Sequence, residues 1–364
     1  MTTNVPVPSP ALRALECVQC AARYPVADHP RGCPACDADG RNANLFCVYE
    51  EDAALDDRLP YRDLPGFGHG PTPLLPWEDG TYVKNEAAQH TGSHKDRFAA
   101  VVTAHARAAG YRGVAVGSSG NAGLAMAAYA AAAGLECTVA TFSWLPEQTR
   151  RQLTGFGTDL RLFDDDADRM RCIRDLANDP KTLTVSSITD PVVGSHPFGI
   201  EGYKRIAWEL VEQVPGDIEH VVVPSSRGDL AWGIYLGFRD LHELDGRAVP
   251  RLHLVEPFRR LSAVLDGAPL TGRFPGDHGR LVSIAGDSTT VQAHRAVTLS
   301  GGTATVVPDA VAEAHFTRLC RRGHVWERSS TTVFAAHESL RGSGAIPAGA
   351  TTVLVATSHL FKGL

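Results

Sequence analysis

The sequence has no apolar run long enough to span a bilayer. Its most apolar stretch, Ala122 to Ala133, is short and mostly alanine, so it reads as a tightly packed helix. Positive charge is not in surplus either. The formal net charge of -6 argues against a general nucleic-acid binder or a basic membrane-surface protein. The start, Met1-Thr2-Thr3-Asn4-Val5-Pro6-Val7-Pro8, has neither the basic residues nor the apolar core of a secretory signal. The expected location is the cytoplasm, with no membrane or nucleic-acid partner. Methionine (3) and aromatics (7%) are scarce beside abundant Ala and Arg, a bias without functional content. What remains, 43% hydrophobic and 21% charged over 364 residues, suits two soluble domains with sizeable cores.

A disulfide framework is also missing, although eight cysteines are present. Four of them form Cys17-Val18-Gln19-Cys20 and Cys33-Pro34-Ala35-Cys36, two knuckles with twelve residues between. Four thiolates so spaced converge tetrahedrally on a metal, and a small loop-rich segment needs such a staple. The spacing favours structural zinc on Cys17, Cys20, Cys33 and Cys36 over four free thiols; an inert remnant of a zinc ribbon is the alternative. Cys47, Cys137, Cys172 and Cys320 are scattered and read as small core residues.

Residues 1–13 are Pro-rich and aperiodic, so they are expected to be disordered, with a zinc-ribbon-like segment over 14–50. Gly70-Pro71-Thr72-Pro73-Leu74-Leu75 is a turn opening into extended chain. Beyond it, short β runs alternate with helices. Gly113 to Val116, Cys137 to Phe142, Leu160 to Phe163, His220 to Pro224, Leu252 to Val255 and Thr352 to Ala356 read as strands. Asn121 to Ala133, Pro146 to Leu153, Ala167 to Ala177 and Ala231 to Leu241 read as helices. That alternation implies an α/β chain with parallel sheets covered on both faces.

Four motifs carry chemistry. In Gln89-His90-Thr91-Gly92-Ser93-His94-Lys95-Asp96-Arg97, one lysine sits behind small residues, after the strand Thr81 to Lys84 and before an Ala-rich helix. A desolvated amine loses its proton more easily and can form a Schiff base with a carbonyl; the bland alternative is a surface lysine at a helix start. Val116-Gly117-Ser118-Ser119-Gly120-Asn121-Ala122-Gly123 is a strand-to-helix turn whose amides suit an anion. Its glycine spacing loosely fits a dinucleotide site. The next strand, however, ends Thr141-Phe142-Ser143-Trp144, without the acidic residue that such a site needs. Val223-Pro224-Ser225-Ser226-Arg227-Gly228-Asp229-Leu230 is a second such turn, and Val355-Ala356-Thr357-Ser358-His359 closes the last strand.

Together these motifs resemble the fold-type-II pyridoxal-phosphate enzymes, specifically the threonine synthase and serine/threonine dehydratase group, over nearly the whole chain. Thr91-Gly92-Ser93-His94-Lys95-Asp96-Arg97 is similar to that group's lysine motif, which usually has Phe in place of His94. The His-rich wording resembles the tryptophan synthase β subunit. Two cysteine knuckles ahead of the catalytic domain also occur in many threonine synthases. The resemblance implies two doubly wound α/β domains: a large one over 51–100 and 200–364, binding pyridoxal 5'-phosphate, and a small one over 101–199 inserted in it. It implies that Lys95 holds the cofactor and acts as base at the substrate's Cα. Ser118, Ser119 and Gly120 would hold the α-carboxylate, and Asn121, followed by Ala122, would face the cofactor's ring hydroxyl. Ser225, Ser226, Arg227 and Gly228 would take the phosphate, with His94 either reaching it or packing structurally. Asp229 is expected to turn away and cap the helix. Thr357, with Ser358 as alternate, would meet the pyridine nitrogen. A homodimer is a further implication.

The chain departs from threonine synthase at two points. Gly199 stands where the resemblance expects an arginine for the substrate phosphate, and Ala122 replaces a threonine. Losing the arginine forfeits a charge-assisted contact of about 1.5–3 kcal/mol. Asn121-Ala122-Gly123 and His196-Pro197-Phe198 instead resemble the dehydratases. The expected function is elimination of a β- or γ-substituent from a small L-amino acid. The alternative is β- or γ-replacement of the threonine synthase, cysteate synthase or tryptophan synthase β kind. A non-catalytic binding protein is disfavoured by the intact Lys95. Glu327 and Glu256 are secondary candidates, and His253, His294 and His324 lack metal spacing.

Overall fold

The structure is a computed structural model that describes residues 5–68, 70–78, 80–118 and 120–362; Ser119 therefore lies outside the described residues. The chain opens with β1 (Leu12–Cys17), β2 (Arg23–Tyr24), α1 (Pro34–Ala38) and β3 (Leu45–Tyr49), followed by β4 (Leu74–Glu78) and β5 (Thr81–Asn85). Then come α2 (Lys95–Ala108), β6 (Gly113–Gly117), α3 (Asn121–Ala133), β7 (Glu136–Phe142), α4 (Glu147–Gly155) and β8 (Asp159–Phe163). Next are α5 (Asp166–Leu176), β9 (Thr182–Thr184), α6 (Pro197–Glu201), α7 (Lys204–Gln213), β10 (His220–Pro224) and α8 (Asp229–Asp245). The last part runs β11 (Arg251–Glu256), α9 (Leu261–Leu265), α10 (Val291–Ser300) and β12 (Thr303–Val306). It finishes with α11 (Asp309–Arg321), α12 (Arg328–Gly342) and β13 (Thr352–Ala356). No described helix is long and apolar enough to cross a membrane.

The chain divides into two units, one of Met1–His69, Lys95–Gly202 and Lys362–Leu364, the other of Gly70–His94 and Tyr203–Phe361. In the first, β2, β1 and β3 form an antiparallel sheet, and β8, β7, β6 and β9 a parallel one in that order. The alanine-rich α3 is buried almost throughout and packs on α2, because alanine lets helices approach closely. Pro8 bridges Tyr61 and β1 starts at Leu12, so part of the stretch expected to be disordered carries structure.

In the second unit a six-stranded sheet has the order β12-β11-β10-β13-β5-β4. It is parallel except for the edge strand β4, antiparallel to β5, where Pro76 is tolerated. Strands such as His220-Val221-Val222-Val223-Pro224, buried at every position, read as unbroken apolar runs because helices cover the sheet. Val83, Val222, Val255 and Leu354 anchor its core together with Trp326, Val333 and Phe334. In each unit the candidate motifs follow the carboxyl ends of parallel strands, β6 in the first and β10 and β13 in the second, the usual ligand side of such sheets.

An acid-sensitive clamp joins the cysteine-bearing segment to the rest of the first unit. Asp28 Oδ1 accepts from His105 Nε2 (2.7 Å) and His196 Nε2 (3.1 Å), and its Oδ2 from the Tyr111 hydroxyl (2.6 Å). Tyr61 lies 2.9 Å from His105 Nδ1, and the His105 ring stacks on Phe198 at 4.1 Å. Burial raises the Asp28 pKa, but hydrogen bonds from His105 and His196 outweigh it and hold the carboxyl well below its usual range. Burial pulls the His196 pKa below its ordinary value of 6.5, against the pull of Asp28. Both folded values lie below the unfolded ones, so the stability tied to them is present at higher pH and is lost on acidification. Unfolding free energy from urea titrations should therefore fall as pH drops below about 6.5, and fall further in the carboxylate range. His196→Gln should make the first slope shallower; an unchanged slope contradicts the assignment.

Candidate active site

Five lysines are present in the sequence. Lys84 and Lys204 are fully buried against Glu209 (2.6 Å) and Asp240 (3.1 Å), and Lys181 is exposed. Lys95 is the half-buried first residue of α2. The chain just before it is pinned inside the second unit. Gly92, at φ 80°, makes the turn that starts this approach. The His94 N–H donates to the Thr357 carbonyl (2.9 Å), and the His359 N–H donates to the Gly92 carbonyl (2.9 Å). His94 Nδ1 also donates to the Thr357 carbonyl (3.2 Å), since a carbonyl only accepts, and its ring lies 5.6 Å from that of Tyr203.

Thr357 is buried, with its Oγ1 2.8 Å from Ser330 Oγ. Ser330 Oγ accepts the Ser358 N–H (2.9 Å), whereas Ser358 Oγ turns to the Gly92 carbonyl (3.4 Å). The two hydroxyls offered by the sequence thus have different partners. Ser330 was not singled out from the sequence; its only signal is a place three residues beyond Glu327, whose N–H meets the Ser358 carbonyl at 3.0 Å.

The loop between β10 and α8 is held along its length. Ser225 N–H donates to the Val255 carbonyl (2.8 Å), and Ser226 Oγ to the Ala285 carbonyl (2.7 Å). Thr290 Oγ1 donates to the Arg227 carbonyl (2.6 Å). Gly228 stands at φ 81°, and a Cβ there would lie 2.4 Å from Ala293 Cβ, so only glycine fits. Gly228 is the N-cap of α8 and has no side chain to satisfy the helix's first amides, which suits an anion. Asp229 does turn aside, accepting from Gln292 Nε2 (2.7 Å), but it is the first helical residue and not the expected cap. The loop's shape, its glycine cap and its helix start fit a phosphate.

In the first unit, Ser118 Oγ accepts from the Gly120 N–H (3.1 Å) and the Gly123 N–H (2.9 Å), anchoring the turn into α3. Asn121 is buried as the first residue of α3, followed by the half-buried Ala122. Gly199 has no room for a side chain: a Cβ there would meet the Phe98 ring at 2.3 to 2.7 Å. An arginine at this position would displace that ring.

Sulfurs of Cys17 and Cys36, and of Cys20 and Cys33, are each 3.7 Å apart, and all four lie within 4.8 Å of one another. Tetrahedral zinc with bonds of about 2.3 Å needs sulfurs about 3.8 Å apart, so these residues fit the ion. The Asp28, His105 and His196 ligand atoms also converge. Two of their separations, 2.7 and 3.1 Å, fall below the edge of about 3.3 Å expected around a metal with nitrogen or oxygen ligands. They are hydrogen-bond distances.

A family described as "Pyridoxal-phosphate dependent enzyme" matches residues 66–358. A threonine synthase of Halalkalibacterium halodurans is 28% identical over 335 residues, covering 87% of this chain and 89% of its own. One of Methanosarcina acetivorans is 26% identical over 387 residues, covering 96% of this chain and 92% of its own. Among solved structures, O-ureido-L-serine synthase shares the fold, with a TM-score of 0.64, 20% identity, and coverage of 80% of this chain and 90% of its own.

The crowding at Gly199 is directly testable. Gly199→Ala should cost about 1–3 kcal/mol of stability in urea denaturation, the usual penalty of overpacking. A neutral substitution would show that the Phe98 ring yields easily.

Proposed function

The chain belongs to the pyridoxal-phosphate dependent enzyme family, and from that premise we propose that it eliminates a β- or γ-substituent from a small L-amino acid, a lyase of the dehydratase type. The observation that carries this reading is the packing of Phe98 over Gly199. It fills the place of the arginine that a phosphorylated substrate would require, which favours an unphosphorylated one. The bound cofactor supplies an electron sink for charge developing at Cα. In this reading Lys95 Nζ holds the cofactor and moves the Cα proton. Ser118, Ser119 and Gly120 hold the substrate carboxylate, while Asn121, next to Ala122, faces the ring hydroxyl.

Ser225, Ser226, Arg227 and Gly228, with the first turn of α8, take the phosphate, and Asp229 is kept aside by Gln292. Thr357 donates its hydroxyl to the ring nitrogen, with Ser330 as its neighbour. A hydroxyl does not keep that nitrogen protonated as a carboxylate would, so charge delocalisation is weaker, which suits elimination or replacement over transamination. Replacement of a β- or γ-substituent is the second reading, favoured by relatives that carry synthase names. Zinc on the four cysteines, a homodimer and a cytoplasmic location complete the proposal.

Three outcomes are expected. Purified protein incubated with Ser, Thr and their O-acylated and O-phosphorylated forms should change its cofactor spectrum and release an oxo acid and ammonia. A new amino acid without oxo acid selects replacement, and no spectral change with any of them contradicts both readings. Lys95→Ala should abolish turnover, and substantial residual activity contradicts its role. Metal analysis should find zinc at one ion per chain, lost in Cys36→Ala together with part of the stability. Equal metal content in the variant refutes the cysteine site.

A further inference from the structure

Arg260 is 1% exposed, a cation buried behind the loop between β10 and α8. Its Nη2 donates to the carbonyls of Ser225 (3.1 Å) and Ile284 (3.1 Å), and its Nη1 to that of Gly286 (2.7 Å). Glu256, at the end of β11, holds this residue in place. Its Oε2 accepts the N–H groups of Arg260 (3.1 Å) and Leu261 (2.8 Å), its Oε1 that of Ser262 (2.9 Å), and Oε2 lies 3.7 Å from Arg260 Nε. Burial lowers the guanidinium pKa to about 10, with Glu256 opposing the shift, so Arg260 stays charged at neutral pH.

A second support acts two residues along. Thr290 is buried at the N-cap of α10, where its Oγ1 accepts the Ala293 N–H (3.3 Å) while donating to the Arg227 carbonyl (2.6 Å). The carbonyls of Ser225 and Arg227 are therefore both tied from behind. In a trans peptide the C=O and the following N–H point in opposite directions. Fixing these two carbonyls turns the amides of Ser226 and Gly228 to the other side of the loop. With Gly228 in the left-handed region, successive amides so turned form an anion-binding concavity.

We infer that Arg260 and Thr290 are positioning residues for the cofactor's phosphate: they hold two loop carbonyls so that the Ser226 and Gly228 amides, with the first turn of α8, form its cup. Neither touches the phosphate. The inference rests on reading residues 225–229 as the phosphate site. Local sequence gave no hint of it, because both residues lie more than thirty positions beyond the loop.

The test is the share of cofactor affinity owed to the phosphate. Cofactor-free protein is titrated, with absorbance as readout, against pyridoxal 5'-phosphate and against pyridoxal, which lacks the phosphate. The Kd for pyridoxal divided by the Kd for pyridoxal 5'-phosphate isolates the cup. Arg260→Lys, which loses the fork onto several carbonyls, and Thr290→Val should each lower this ratio by about tenfold, the effect of one charge-assisted hydrogen bond. Thr290→Ser should restore it. Wild-type ratios in Arg260→Lys and Thr290→Val, or equal weakening of both ligands, overturn the inference. Should Arg260→Lys fail to fold, the two Thr290 variants decide alone. Wild-type protein that binds neither ligand overturns the cofactor reading itself, and with it the inference; that failure is visible before any variant is made.

Discussion

Two backbone hydrogen bonds, His94 N–H to the Thr357 carbonyl and His359 N–H to the Gly92 carbonyl, join the end of the first quarter of the chain to its last turn. They make Ser93 and Ser358 an antiparallel bridge, separate from the parallel pairing of β5 with β13, in which Ala356 stands opposite Asn85. Because a parallel sheet aligns strand ends, the segment leaving β5 and the segment leaving β13 emerge together. One lies a single residue before Lys95, and the other carries Thr357. A slip of one residue would turn every side chain of β13 to the opposite face.

Around this tie, the second unit handles charge by burying it with a partner. Lys84 meets Glu209 and the Thr72 carbonyl, Lys204 meets Asp240, and Arg260 sits beside Glu256. Buried pairs of this kind add little net stability, yet removing one partner leaves an uncompensated charge. They fix geometry more than they strengthen the fold. Arg260 is the case with a consequence for chemistry, since its guanidinium reaches three carbonyls, one of them in the loop that opens α8. In the first unit the same economy appears in Asp28, an anion surrounded by two histidines and a tyrosine.

Local pattern made much of this legible. The buried strands His220 to Pro224 and Thr352 to Ala356 and the helix Asn121 to Ala133 have the same bounds in sequence and structure, since unbroken β-branched runs and an alanine tract leave few alternatives. The edge strand β4 read only as extended chain after a proline turn, because its partner β5 supplies the order that its own sequence lacks. β12 gave no signal at all: its four half-buried residues are fixed by pairing with β11. The same reason hid Ser330, Thr290 and Arg260. Each acts on a segment distant in sequence, so no spacing rule points to it. His94 and Asp229 show a finer limit. Their positions were legible, but their hydrogen-bond partners, the Thr357 carbonyl and Gln292, depended on the fold.

The proposed chemistry depends on one covalent attachment, and the lysines are few enough to test it by direct mapping. Protein loaded with pyridoxal 5'-phosphate would be reduced with borohydride, which makes a lysine-bound cofactor permanent, then digested and sequenced by mass spectrometry. The predicted result is one reduced phosphopyridoxyl group per chain, on Lys95. Label on Lys84, Lys181, Lys204 or Lys362 in its place, or no stoichiometric label on any lysine, would contradict it.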